Sequence, residues 1–245
     1  MTEAHALNDK CWQPLLAYGF THSFWSFNIA TLRDTWIVLG ILLILAIPIK
    51  FILTQKRSIT RHLLTSFITY FMDMTDQALG AFSWNHFNFV TSLFCFIFFC
   101  NIAWLIPFME EPTKDLNTTL ALGIIAFTYT QFYAIKTHGI LEYLKEYCEP
   151  FFLMFPLHVV GKLATIVSIA FRLYGNIFGG ATISHLYFNA LSGSWIYQIA
   201  GLCTANMVMY FFFGLFEGFL QAFVFTMLTI TYLSIAVHHE PKGIS

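Results

Sequence analysis

Long apolar runs separated by short polar connections organise this chain. The first run, Trp36 to Leu53 (WIVLGILLILAIPIKFIL), is long enough to span a hydrocarbon layer when its ends snorkel. Lys56, Arg57 and Arg61 follow at once, which puts that end on the cytoplasmic side and residues 1–34 outside. Over Ser58 to Ala81, apolar residues at 64, 67, 68, 71 and 72 recur at intervals of three and four among His62, Asp73, Asp76 and Gln77. Residues 58–80 are therefore expected to form an amphipathic helix lying on the interface or packed on its neighbours. A second span runs from Phe87 to Met109 and ends in the acidic EEPTKD loop, which suits the outside face. A third, Leu116 to Ile135, returns the chain to Lys136, His138 and Lys145 on the basic side. Residues 35–135 thus hold three peripheral spans. Met1 to Phe20 has no basic region followed by an apolar core, so no cleaved signal peptide is expected.

The remainder, 151–238, behaves differently. Phe151 to Phe188 and Trp195 to Val237 would each extend about 57 to 65 Å as single helices, against about 30 Å of hydrocarbon. Either each run holds a pair of ordinary spans, or each is one long, strongly tilted helix. No Pro, Asp or Asn cluster breaks the second run, which favours two tilted helices joined by a turn at Asn189 to Ser194. Local breaks are expected at Gly161 or at Gly214 and Gly218. The expected fold is all-α: one polytopic integral membrane domain, 1–245, with five crossing helices, one interfacial helix and a C-terminal hairpin of long helices.

Composition agrees with that reading. Of 245 residues, 58% are hydrophobic and 10% are charged, too few charges to cover a water-facing globule. The formal charge of -1 leaves no basic stripe for nucleic acid, and the apolar content excludes disorder. The five cysteines form no CxxC pair.

What stands out is the polar remnant inside the long runs. Between Phe151 and His239 the fixed-charge candidates are Lys162, Arg172 and Glu217, accompanied by His158 and His185. Burying an arginine at membrane depth costs at least ~2.5 to 3.5 kcal/mol, so Arg172 needs a partner or a wet cavity. At 100° per residue Thr165, Ser168, Arg172, Asn176 and Gly179 fall near one line, a polar and small-residue stripe along an apolar cylinder. On the last helix Glu217, Gln221, Leu228 and Tyr232 share a face, and Glu217 is the lone acid of its run. An intramembrane carboxylate is by default a candidate for ion or proton movement, with His185 as its natural companion. The structural alternatives are an arginine that ties down a neighbouring carboxylate and a core histidine bonded to a carbonyl. His238, His239 and Glu240 lack HExxH spacing, and Gly175 to Gly180 has no preceding strand or phosphate-binding Lys, so neither a metal, a cofactor nor a catalytic site is expected. A proton-coupled secondary transporter and a structural membrane anchor remain alternatives at this point.

The segment SIAFRLYGNIFGG, Ser168 to Gly180, resembles the SLxxRLxGNxxxG motif of subunit a of the rotary F-type ATP synthases. LQAFVFTMLTITYLSIA (Leu220 to Ala236), DLNTTLALGI (Asp115 to Ile124) and NIAWLIP (Asn101 to Pro107) are similar to further stretches of that family, and the resemblance covers Phe87 to Ala236. It implies a non-catalytic, proton-conducting stator that faces a ring of c subunits and joins peripheral-stalk b subunits in a lipid membrane, most similar to the bacterial type. It also implies that Arg172 faces the ring's carboxylates, with Asn176, Gln221, Tyr232 and Ser168 beside it and Gln221 orienting it. The family's usual outer-channel pair falls on Ala181 and Gly214 here, so His185 and Glu217, about one turn away, are expected as a displaced pair. The family's Lys-Pro is replaced by Thr165 and Ile166, which leaves Lys162 and His158 with Thr165 as the expected lining of the inner exit.

Overall fold

A computed structural model describes residues 11–12, 27–54, 59–80, 82–106, 109–141, 143, 155–190, 208 and 210–238. Six helices dominate these residues: α1 Ile29–Thr54, α2 Ile59–Leu79, α3 Trp84–Asn101, α4 Leu116–His138, α5 Phe155–Ala190 and α6 Glu217–His238. A π-helical segment, Tyr210–Phe216, leads directly into α6. The exception to an all-α fold is a two-residue antiparallel pair, Cys11–Trp12 with Phe27–Asn28.

Local chemistry sets the helix ends. The Asn28 Oδ1 accepts from the Ala30 amide (3.0 Å) and starts α1 seven residues ahead of Trp36, and the Asp115 carboxylate accepts from the Asn117 amide (3.0 Å) to start α4. At the other ends, Gly80 (φ 64°) and Gly139 (φ 85°) take up left-handed backbone while their amides close onto Asp76 and Ile135 carbonyls. α5 runs unbroken through Gly161 for 36 residues. The break near Gly214 is the π segment. The proposed turn at Asn189 to Ser194 lies outside the described residues after Ala190.

Among the described residues, four helices are long and apolar enough to cross a membrane: α1, α4, α5 through Tyr187, and Gly214–Val237. The chain is thus an all-α polytopic membrane protein. α3 has 18 residues and begins with Asn85, His86 and Asn88, so its apolar stretch is short. It is nonetheless central, burying Phe87, Val90, Leu93, Phe94 and Ile97 along one face. α4 is wedged between α5 and α6 and touches each more extensively than they touch each other. α6 also packs on α3; α2 lies across α3 and α6 through Phe71, Thr75 and Leu79, and α1 is peripheral.

Glycine permits the closest approaches. A Cβ on Gly123 of α4 would meet Ile166 of α5 at 3.3 Å, and one on Gly214 would lie 2.4 Å from the Trp104 ring. The 109–115 loop is clamped onto α1, where the fully buried Asp34 takes Arg33 at 2.9 Å and accepts from the Glu110 amide at 3.2 Å. At the opposite end of the bundle the His138 Nε2 donates to the Ala236 carbonyl (3.1 Å), and the Ser234 hydroxyl donates to the Ala78 carbonyl.

Within the clamped loop, burial pushes the Glu111 carboxyl up to about 7, with Lys114 opposing and Glu110 adding to the shift. Because the folded-state pKa is raised, the folded loop binds a proton that the unfolded chain has released, and stability falls as pH rises from about 4.5 to about 7. Glu111→Gln should flatten that slope and raise the thermal midpoint above pH 7, measured by thermal scanning of the purified complex between pH 5 and 8. An unchanged slope would show that Glu111 does not titrate on unfolding.

Candidate functional site

α5 is divided along its length into a packed side and an open side. Ile169, Leu173 and Ile177 meet Leu122 and Ala126 of α4 and Ala222, Phe225 and Ile230 of α6 in one apolar cluster. On the other side, Gly161, Ser168, Arg172 and Gly175 are exposed along one face, and a Cβ added at Gly161, Gly175 or Gly179 would meet nothing within 4 Å. Arg172 makes no hydrogen bond or ion pair among the described residues; the one ion pair described there joins Arg33 and Asp34, on α1. A permanent cation thus stands on an open face of a membrane-length helix with no carboxylate against it among the described residues.

Toward the His138 end, a cavity of about 150 Å³ opens between α4, α5 and α6. Its polar lining is Thr130, Gln131, Tyr143, Lys162, Thr165, Thr229 and Tyr232. Gln131 Oε1 accepts from the Tyr143 hydroxyl and lies 3.4 Å from Lys162 Nζ, which also stands 4.9 Å from the centre of the Tyr143 ring. Lys162, Thr165 and Tyr232 are therefore brought together, whereas the exposed His158 is not among the lining residues. Gln131 and Tyr143 were not anticipated. The signal available for Gln131 was its being the one glutamine of α4.

Toward the loop end the polar groups are more scattered. Glu217, the first residue of α6, is half-buried, and Gln221 one turn on is 8% exposed with no hydrogen-bond partner among the described residues. Asn176 is half-buried. His185 is exposed, its Nδ1 lying 3.1 Å from the Asn189 amide nitrogen, so it and Glu217 are not in direct contact. Asn101 was missed as a candidate. Fully buried at the end of α3, it donates from Nδ2 to the Gly218 carbonyl (2.8 Å) and accepts at Oδ1 from the Thr113 hydroxyl (2.8 Å). No group of three or more His, Cys, Asp or Glu able to hold a metal ion occurs among the described residues.

Comparison with known proteins bears on this arrangement. A family model described as ATP synthase A chain matches residues 34–234. The ATP synthase subunit a of Moorella thermoacetica is 33% identical over 213 residues, covering 85% of this chain and 91% of that protein. Those of Bacillus velezensis and Albidiferax ferrireducens are each 30% identical, covering 88% and 90% of this chain and 94% and 92% of their own lengths. A match that runs from α1 into α6, at that coverage, leaves one assignment: the chain belongs to the ATP synthase A chain family.

Proposed function

We propose that Arg172 is the charge around which this subunit works, facing the carboxylates of a ring of c subunits across the open side of α5. The observation that carries the reading is the exposed guanidinium without a partner among the described residues, flanked by small residues that leave room for another helix. The chain is a non-catalytic, proton-conducting stator subunit of an F-type ATP synthase and resides in a bacterial inner membrane. Its proposed partners are the c ring and the peripheral-stalk b subunits.

In this reading a proton enters from the outside past His185, Glu217 and Asn176 and neutralises a ring carboxylate, which can then face lipid. After nearly a full turn the carboxyl reaches the inner cavity and releases its proton past Thr165, Tyr232 and Lys162, with His158 beyond its mouth. Arg172 attracts the ionised carboxylate, Gln221 helps orient the guanidinium, and Ser168 gives the passing helix clearance. Because a guanidinium does not release its proton, it also bars direct transfer between the two paths. Each proton crossing 100 mV supplies about 2.3 kcal/mol to rotation.

The proposed topology has five crossings, α3 being the fifth, with the N-terminus outside, the C-terminus inside and α5 and α6 as long tilted antiparallel helices. The basic residues after α1 and α4 and the acidic 110–115 loop support it. Cysteines at 56 and 111 should react with an impermeant thiol reagent from opposite sides of the membrane; reaction from the same side refutes the arrangement.

Arg172→Ala should assemble normally yet reduce ion-driven ATP synthesis in membrane vesicles to below about a tenth of the wild-type rate, with Lys a poor substitute. Synthesis near wild type would overturn the central assignment. For the outer path, Glu217→Gln and His185→Ala should each slow passive proton conduction through the membrane sector once the catalytic head is stripped. Wild-type conduction in both variants removes the pair from the path.

A further inference from the structure

The junction where the π segment becomes α6 is held by one side chain. Asn101 uses both ends of its amide there: Nδ2 donates to the Gly218 carbonyl at 2.8 Å, and Oδ1 accepts from Thr113 at 2.8 Å. Asn101, Thr113 and Gly218 are all buried, Asn101 and Thr113 completely. A Cβ at position 218 would come within 3.0 Å of the Asn101 Cβ, so glycine lets the two backbones approach closely enough for the bond. Gly218 is the residue after Glu217, and Thr113 sits in the Pro112–Lys114 turn that carries the acidic loop.

From this geometry we infer that Asn101 is a positioning residue for Glu217: it fixes the depth and azimuth of that carboxylate and ties it to the outer loop. The inference rests on the reading of Glu217 as part of the outer path. The π segment bonds residue i to i+5, so the helix that follows it is rotated relative to an unbroken α-helix. The Asn101 amide fixes the backbone where α6 resumes. Its two ends are chemically distinct, one donor and one acceptor, and each meets its complement. A carboxylate at 101 keeps the Thr113 bond and sets an acceptor against the Gly218 carbonyl, so α6 is released while the loop stays tied. Valine at 113 does the reverse, freeing the loop while α6 stays held. A buried donor or acceptor left unpaired is expensive, which makes the latch sensitive to either change.

The test measures position and function separately in the complete complex. With the five native cysteines replaced by alanine, Glu217→Cys is labelled from the outer side with a small thiol reagent, alone and combined with Asn101→Ala, Asn101→Asp or Thr113→Val. Asn101→Ala and Asn101→Asp should each change the labelling rate about tenfold, the scale of losing a supporting contact, with a smaller effect for Thr113→Val. Passive proton conduction should fall by a similar factor in Asn101→Asp and fall no further when Asn101→Asp is added to Glu217→Gln. Unchanged labelling in both Asn101 variants overturns the inference. So does additive loss of conduction in the double variant, or failure of both Asn101 variants to assemble, which would make Asn101 a folding residue. Should Glu217→Gln conduct like wild type while labelling at 217 still depends on Asn101, the latch stands and the outer-path reading fails.

Discussion

A fixed positive charge on a membrane-length helix, with no negative charge opposite it among the described residues, constrains everything else in this molecule. Leaving a guanidinium at membrane depth costs at least ~2.5 to 3.5 kcal/mol, and the described residues supply no ion pair that offsets it. The fold instead keeps the guanidinium on an open face and packs the opposite side of α5 with aliphatic residues. Ile169, Leu173 and Ile177 make that packed side against α4 and α6. In the proposed assembly the missing counter-charge arrives on the rotor, and the cost left standing in the isolated chain becomes an attraction that each passing carboxylate feels.

Holding α6 in register is the second requirement. Lipid supplies little hydrophobic drive between helices, so close packing and hydrogen bonds must do it. At one end of α6 the Gly218 carbonyl is taken by Asn101, and Trp104 lies over Gly214. At the other, Ser234 and the Ala236 carbonyl are tied to the ends of α2 and α4. These attachments explain why α2 is more than an interfacial float: its buried Phe71, Thr75 and Leu79 bring the Ala78 carbonyl to Ser234.

Much of this was legible in the sequence because the signals are local. The period of α2, the length of α5 and the isolation of Arg172 in its apolar run need no knowledge of distant contacts. The start of α1 was hidden for the opposite reason. Arg33 and Asp34 read as polar flank, and the helix includes them because Asp34 finds the Glu110 amide 76 residues away. Asn101 was hidden likewise, since its partners are 12 and 117 residues distant. The cavity near Lys162 was half visible: its α5 wall follows from helical spacing, whereas Gln131 and Tyr143 come from elements whose approach no periodicity reports.

The distribution of polar groups along α6 explains why two separate paths are the economical reading. Tyr232 belongs to the Lys162 cavity, whose α6 lining begins at Thr229, while Gln221 and Glu217 lie at the other end of the helix. Eight residues, about 12 Å of helix, separate Gln221 from Thr229. That interval contains the buried Ala222 and Phe225, which meet Leu173 and Ile177 of α5 in the apolar cluster. Thr226 also lies there, but its hydroxyl is spent on the Ala222 carbonyl at 2.7 Å. On α5 the cavity lining stops at Ile169, three residues short of Arg172. A proton following side chains from either end therefore meets an apolar plug on one helix and a permanent cation on the other. In the proposed cycle, the route between the two ends lies outside this chain, on a carboxyl group that moves.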